Sequence, residues 1–131
     1  MAKVLERLDV FVQSQNLGEL IWTEVVKWDY FAKNSIGNQL VRSADSISAN
    51  IAESYGRYFF KYKRHFLYYS RGSLVETKIW IYKAQKRKLI SDKSANDYIK
   101  QIQDIHGLLN GYINYIKAPI NQKRISCSLM H

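Results

Sequence analysis

The stretch Tyr98–Ile116, YIKQIQDIHGLLNGYINYI, contains the most regular apolar pattern in the chain. Its large apolar residues are spaced by four, three, four, three and four positions: Tyr98, Ile102, Ile105, Leu109, Tyr112 and Ile116. This spacing places all of them on one side of an α-helix, which turns once in about 3.6 residues. The stretch therefore predicts an amphipathic helix that Pro119 ends and that Ser91 or Ser94 caps at its start.

Three earlier segments show helical spacing as well. The first, from about Val4 to Trp28, has an apolar set of Leu8, Val10, Phe11, Leu17, Ile21, Trp22, Val25 and Trp28. A loop at residues 33–35 separates it from the second, about residues 36–55, whose apolar stripe is Leu40, Ala44, Ile47 and Ile51. Gly56 is then expected to take the left-handed conformation that ends many helices. The third, about residues 58–88, repeats Phe60, Leu67, Leu74 and Ile81 every seven positions, flanked by Phe59, Tyr62, Phe66, Tyr69 and Trp80.

Length and composition restrict the class of protein. The chain has 131 residues, of which 47% are hydrophobic and 24% charged, a composition typical of one globular domain. A single proline and a single cysteine argue against a turn-rich β domain, an internal disulfide and a cysteine-based zinc site. From the residues at the start of the sequence we expect no signal peptide, and from the lengths of the apolar runs we expect no membrane-spanning helix. We therefore expect a cytoplasmic, all-α, antiparallel up-and-down four-helix bundle over residues 1–118, with a poorly ordered tail over residues 119–131.

The net charge of +9 belongs to the third predicted helix. Residues 57–88 hold ten basic residues and one acidic residue, whereas the rest of the chain is neutral. One face of this helix has the sequence Arg57, Lys61, Arg64, Tyr68, Arg71, Val75, Lys78, Tyr82. Basic side chains displace counterions from phosphates, and tyrosine stacks on unpaired bases.

These observations predict a nucleic-acid surface on the third helix. The residues expected to contact phosphates are Arg57, Lys61, Arg64, Lys78, Lys83, Lys86, Arg87 and Lys88. The residues expected to stack on bases are Tyr68 and Tyr82. The alternative is a solvated helix face whose charge only aids solubility.

A polar stripe lies beside the apolar stripe of the second helix: Arg42, Ser46, Asn50, Glu53 and Arg57. The spacing of the last two predicts an ion pair between them. If the second and third helices fold back around Gly56, Arg42 comes level with Gly72. We therefore predict that Arg42 contacts Glu76, and that Gly72 and Ser73 let the two helices approach closely.

Two motifs in these helices resemble a known family: SISANIAESYGR at residues 46–57 and SRGSLVET at residues 70–77. With Arg42 upstream, the chain is similar to the four-helix-bundle proteins encoded in intervening sequences of bacterial 23S rRNA genes. The matching positions are Arg42, Ser46, Ile47, Asn50, Ile51, Ala52, Glu53, Ser54, Gly56, Arg57, Arg71, Gly72, Ser73, Leu74 and Glu76. The chain departs from the family pattern at Ser54, where glycine is commoner, and at Ala49, where proline is common.

The resemblance implies a left-handed bundle that assembles as a homopentamer, as in related accessory proteins of diversity-generating retroelements. Those relatives form basic barrels that bind nucleic acid and a reverse transcriptase. The resemblance also gives the motif residues a second interpretation, as a buried network at a subunit interface: Arg42, Ser46, Asn50, Glu53, Arg71, Ser73 and Glu76.

Residues for catalysis or metal binding do not group in the sequence. His65, His106 and His131 lack the spacing of metal ligands, and Ser73 lacks the strand-to-helix turn of a nucleophile. We therefore expect no enzyme, no metal, no cofactor and no membrane partner. The sequence predicts a non-catalytic, oligomeric protein that associates with nucleic acid, and we expect that nucleic acid to be RNA. The alternative is a structural or adaptor protein whose oligomer binds another protein, such as a polymerase or reverse transcriptase.

Overall fold

Four long helices form the structure, a computed structural model that describes Leu5 and residues 8–117. They are α1 (Asp9–Val25), α2 (Asn38–Gly56), α3 (Phe60–Lys86) and α4 (Asp92–Lys117). A short α-helical turn, Tyr30–Ala32, and a π-helical turn, Lys33–Gly37, lead directly into α2. No strand occurs in this part of the chain, so the all-α class with four helices is confirmed. The expected tail, residues 119–131, lies outside the described residues.

The core lies between the four helices, where α2 packs on α1 and α3, and α4 packs on α1 and α3. The stripe predicted on α4 faces this core: Ile102, Ile105, Leu109, Tyr112 and Ile116 are buried, and Tyr98 is half-buried. The stripe predicted on α2 is completely buried as well. Periodicity alone therefore identified the inner faces of both helices.

Buried hydroxyl groups join α2 to α3. Ser54 Oγ donates to the Lys63 carbonyl at 2.8 Å, and Ser70 Oγ donates to the Ile47 carbonyl at 2.8 Å. Residue numbers fall along α2 as they rise along α3, so this pair of helices is antiparallel. Because serine is small, the two backbones approach closely at these positions. We refer to this contact as the α2–α3 seam.

The loop predicted at residues 33–35 is wrong. The chain breaks earlier, between α1 and Asp29, whose Oδ1 accepts a hydrogen bond from the Ala32 amide at 3.0 Å and caps the next turn. Asn34 and Ser35 suggest a loop by residue type. Here their side chains donate to the carbonyls of Tyr30 and Phe31, one turn earlier, and remain within a helix.

Two helix ends also differ in their details. Gly56 is the last residue of α2 and does not adopt a positive φ, so its predicted left-handed conformation is wrong. Arg57, with φ −83° and ψ 146°, ends the helix by becoming extended. The left-handed residue is instead Lys88, with φ 64°, at the end of α3. Ser91 is confirmed as the α4 cap, because its Oγ accepts from the Ser94 amide at 3.1 Å.

Most aromatic residues that flank the heptad repeat of α3 lie on the surface. Leu67, Leu74 and Ile81 are completely buried, but Phe60 is exposed, as are Phe59, Tyr62 and Tyr69. Trp22 on α1 was expected in the core and is 55% exposed. On α3 the buried residues between the heptad positions are small: Ser70, Thr77 and Ala84. Because the neighbouring helix packs closely against them, the core has no room for the flanking aromatic rings. The apolar strip that α3 turns to the core is therefore narrow.

Candidate nucleic-acid interface

The basic face predicted on the third helix runs along α3. We call it the basic ridge: Arg57, Lys61, Arg64, Tyr68, Arg71, Val75, Lys78 and Tyr82. All but the first lie within α3 at helical spacing, so they share one face. Arg57 and Lys61 are exposed, while Arg64, Arg71 and Lys78 are half-buried. Each of these cations therefore retains at least partial access to solvent.

Arg57 is the ridge cation that an acid neutralises. Its Nη2 lies 3.0 Å from Glu53 Oε2, which confirms the predicted ion pair. The Arg57 guanidinium also lies 4.7 Å from the centre of the Phe66 ring. Both side chains of the ion pair are about half exposed, so water screens their attraction and a competing phosphate can reach the guanidinium.

The cations within α3 have no carboxylate partner among the residues that the structure describes. Across residues 8–117 the structure contains two ion pairs, Arg57–Glu53 and Lys93–Asp97. Neither includes a basic residue within α3 itself. Within the described residues, no acid therefore forms an ion pair with the positive charge of this helix.

Two tyrosines of the ridge lie beside cations. The Arg71 guanidinium is 5.1 Å from the centre of the Tyr68 ring, and Lys117 Nζ is 5.8 Å from the same ring. Lys78 Nζ lies 6.0 Å from the Tyr82 ring. Both rings are partly exposed, at 37% and 45%. A base that stacks on either ring would therefore bring its phosphate close to a positive charge.

Arg71 is held in place by α4. Its Nη1 donates to Asn110 Oδ1 at 3.0 Å, and the residue is half-buried between the two helices. Sequence reasoning missed both Asn110 and Lys117. The pattern of α4 gave no signal for them, because their role depends on which helix packs beside α3.

A second group of cations surrounds the C-terminal end of α3. We call it the terminal cluster: Lys83, Lys86, Arg87 and Lys88, all of them exposed. Lys83 Nζ lies 6.0 Å from the Trp80 ring. The end of a helix carries partial negative charge, which stabilises cations at this position. None of these four cations forms an ion pair among the described residues, and the nearby Asp92 accepts a hydrogen bond from Gln85 at 3.0 Å.

Lys63 contributes to the charge of the segment and yet has a structural role. Its Nζ donates to the carbonyls of Ser54 and Tyr55, at 3.3 and 3.1 Å. Burial lowers the pKa of this ammonium group below its usual value. Lys63 therefore satisfies the last carbonyls of α2 and is not part of the basic ridge.

The predicted contact between Arg42 and Glu76 is wrong. Glu76 Oε2 accepts a hydrogen bond from Trp80 Nε1 at 3.0 Å, one turn further along α3, and no ion pair joins it to Arg42 within the described chain. The indole lies on the same helix and reaches the carboxylate without crossing to α2. Gly72 is exposed with open space around it, so it does not mediate close helix approach as predicted.

The remaining motif residues bond within their own helices. Asn50 Nδ2 donates to the Ser46 carbonyl at 2.8 Å and to Ser46 Oγ at 3.1 Å. The Ser73 carbonyl accepts from Thr77 Oγ1 at 2.7 Å. The subunit-interface network that the resemblance implies for these residues stays a prediction.

Several titratable groups lie outside the basic ridge and the terminal cluster. No group of three His, Cys, Asp or Glu side chains there has a geometry that would hold a metal ion. His65 contacts the edge of the Tyr69 ring at 5.5 Å, and burial raises the pKa of Tyr112 to about 12. None of the helices described is long and apolar enough to cross a membrane.

Comparisons with known proteins place this geometry in context. A family model described as 23S rRNA-intervening sequence protein matches residues 6–111. A crystal structure of a protein of unknown function from the S23 ribosomal protein family of Bacteroides thetaiotaomicron has a similar fold. Its TM-score is 0.74 at 20% sequence identity, and the match covers 83% of this chain and 98% of that chain. No functionally curated protein matches the chain.

Proposed function

The chain belongs to the family of 23S rRNA-intervening sequence proteins, and we propose that it is a non-catalytic, oligomeric RNA-binding protein. It holds RNA phosphates along the basic ridge and the terminal cluster. The observation that carries this proposal is the absence of neutralising acids: of the ten basic residues at positions 57–88, only Arg57 forms an ion pair within the described chain.

Such a charge distribution costs stability in the unbound protein. Lys83 lies one turn from both Lys86 and Arg87, and like charges at this spacing repel each other. A phosphate between them removes that repulsion and releases condensed counterions from the RNA. The arrangement is therefore better suited to a polyanion than to water alone.

The proposal includes the assembly that the resemblance implies, a homopentamer of left-handed antiparallel bundles. The antiparallel seam between α2 and α3 supports the bundle geometry. Support for assembly comes from a patch of aromatic residues at the start of α3 that the protomer leaves exposed. Single exposed rings are common on protein surfaces, but a group of them indicates an interaction site. Five copies around one axis would combine five basic ridges into one strong positive field.

Binding of a fluorescently labelled RNA hairpin, followed by anisotropy at 50 and 200 mM salt, tests the function. With about four phosphates neutralised per protomer, affinity is expected to fall roughly 100-fold between the two salts. Lys61→Ala and Lys78→Ala should each weaken binding and lower the slope of log affinity against log salt by about one. Lys100→Ala, an exposed lysine of α4, is the matched control and should leave the slope unchanged.

Two results would contradict RNA binding by the ridge. One is weak binding that does not respond to salt, and the other is an equal loss of affinity in the Lys100→Ala control. Binding of a protein partner that survives Lys83→Glu and Lys86→Glu, but is lost when the oligomer dissociates, would instead establish the adaptor function.

A further inference from the structure

A cleft of about 580 Å³ lies between the π-helical turn and the C-terminal end of α3. Its walls bring together three cations and two aromatic rings: Arg42, Lys83, Arg87, Phe31 and Trp80. The volume falls within the roughly 300–1,000 Å³ of small-molecule sites. We call this region the Arg42 cleft. It is lined by residues of the short α-helical turn, the π-helical turn, α2 and the end of α3.

The charged residues that line the Arg42 cleft are all cations. No acidic side chain lines it, and none of its three cations forms an ion pair within the part of the chain that the structure describes. The nearby acid of α3, Glu76, already accepts the Trp80 indole N–H at 3.0 Å. Three cations around one concave surface repel each other unless an anion lies between them.

An exposed aromatic ring stands at the edge of this charge. Phe31 is 81% exposed, although it belongs to an ordered helical turn. Trp80 also lines the cleft, and its hydrogen bond to Glu76 restrains the plane of the indole. An aromatic surface beside a cluster of cations suits a ligand that is flat at one end and anionic at the other.

The π-helical turn shapes the wall of the cleft that carries Phe31. Turns of this type are rare and are frequent at functional sites, because the wider turn redirects the side chains around it. Asn34 and Asn38, which also line the cleft, donate their amide N–H groups to backbone carbonyls one turn earlier. These bonds hold the two side-chain amides at the cleft. An amide oxygen accepts hydrogen bonds, so each side chain can pair with an amino group of a ligand.

We propose that the Arg42 cleft binds a single nucleotide. Arg42, Lys83 and Arg87 hold its phosphate, and its base stacks on Phe31 with polar edges toward the asparagine amides. The inference rests in part on the proposed function, since a phosphorylated RNA end and a free mononucleotide present the same chemistry. The cleft then recognises an RNA terminus, whereas the basic ridge binds the RNA backbone.

Calorimetric titration of the 131-residue chain with adenosine 5′-monophosphate, adenosine and inorganic phosphate tests nucleotide binding at the cleft. The monophosphate is expected to bind at least tenfold more tightly than either fragment. Arg87→Ala and Phe31→Ala should each weaken it at least tenfold, while Phe31→Ala leaves phosphate binding unchanged. Lys100→Ala is the matched control, because this exposed lysine of α4 does not line the cleft and belongs to neither the basic ridge nor the terminal cluster. Circular dichroism verifies that each variant is folded.

The same variants separate the two ligand sources and the two proposals. A 5′-phosphorylated RNA that binds more tightly than its 5′-hydroxyl counterpart, with the difference lost in Arg87→Ala, identifies an RNA end as the ligand. Monophosphate binding without that difference identifies a free nucleotide. If the monophosphate binds no more tightly than phosphate, or if Phe31→Ala does not affect its binding, the cleft is not a nucleotide site, even where salt-dependent RNA binding by the basic ridge persists. If RNA binding by the basic ridge is absent but the monophosphate binds as expected, the nucleotide site is supported and the proposed function is contradicted.

Discussion

Two glycines in helical segments have opposite surroundings. A Cβ atom at Gly37 would lie 2.8 Å from Val25 Cγ1 and 3.1 Å from the Ala32 carbonyl oxygen, whereas one at Gly72 would meet nothing within 4 Å. At Gly37 the fold leaves no room for a side chain. At the second, glycine only adds backbone freedom that the folded state must lose.

Alanine substitution should therefore have opposite effects at these two positions. Gly37→Ala is expected to lower the free energy of unfolding by about 1–3 kcal/mol, because Val25 and the turn backbone must move apart. Gly72→Ala, the matched control, should raise it by up to about 1 kcal/mol. Urea denaturation followed by circular dichroism measures both. Equal effects of the two variants would show that the π-helical turn adjusts freely.

The helices were predictable from local pattern where one face is buried. The spacing on α4 and the Glu53–Arg57 pair depend on residues one turn apart, and both are confirmed. The start of α2 was not predictable, because Asn34 and Ser35 are compatible with a loop or with side chains bonded back to the helix. Local pattern fixes periodicity, whereas tertiary packing decides between such alternatives.

In the candidate site, too, local spacing predicted some features and tertiary packing decided the others. The basic ridge follows from spacing within one helix, so the sequence located it. Its contacts with Asn110 and Lys117 require the position of α4, and the Arg42 cleft requires Phe31 to lie near the end of α3. Residues far apart in the chain gave no joint signal, because no local period connects them.

The α2–α3 seam depends on the small size of a fully buried serine. Ser70 Oγ donates to the Ile47 carbonyl at 2.8 Å. Ser70→Ala should lower the free energy of unfolding by about 1 kcal/mol through loss of this hydrogen bond. Ser70→Leu should cost a further 1–3 kcal/mol, roughly, because the added volume forces the helices apart.

Denaturant titration measures these losses, and Ser48→Ala supplies the control. Ser48 lies on α2 and bonds only to the Asp45 carbonyl of its own helix, in an exposed position. Its removal should change stability by less than about 0.5 kcal/mol. If Ser70→Leu lowers the free energy of unfolding no more than Ser70→Ala does, the seam is loosely packed.

At the scale of the whole molecule, α3 presents two different surfaces. One is the basic ridge, and the other is an aromatic patch at its start: Tyr58, Phe59, Tyr62, Phe66 and Tyr69. Rings of the patch contact each other edge to face at 5.0–6.2 Å in two groups, one of Tyr58, Phe59 and Tyr62 and one of Phe66 and Tyr69. Tyr58 and Phe59 are 88% and 62% exposed. Such a patch is unfavourable in water, and burial against other copies of the chain removes that cost.

The double variant Phe59→Asp/Tyr62→Asp should therefore dissociate the proposed homopentamer. Light scattering is expected to give five times the 15.4 kDa of one chain for the wild type and a single chain's mass for the variant, with helical circular dichroism retained. Introduced carboxylates resist burial in an apolar interface, and five copies bring them together. Phe31→Asp is the matched control, because this ring is exposed on a different part of the surface and should leave the mass unchanged.

A pentamer that survives the double variant would place the interface elsewhere and leave the aromatic patch to a different partner. A wild-type monomer would refute the assembly itself, and each chain would then bind RNA with a single ridge.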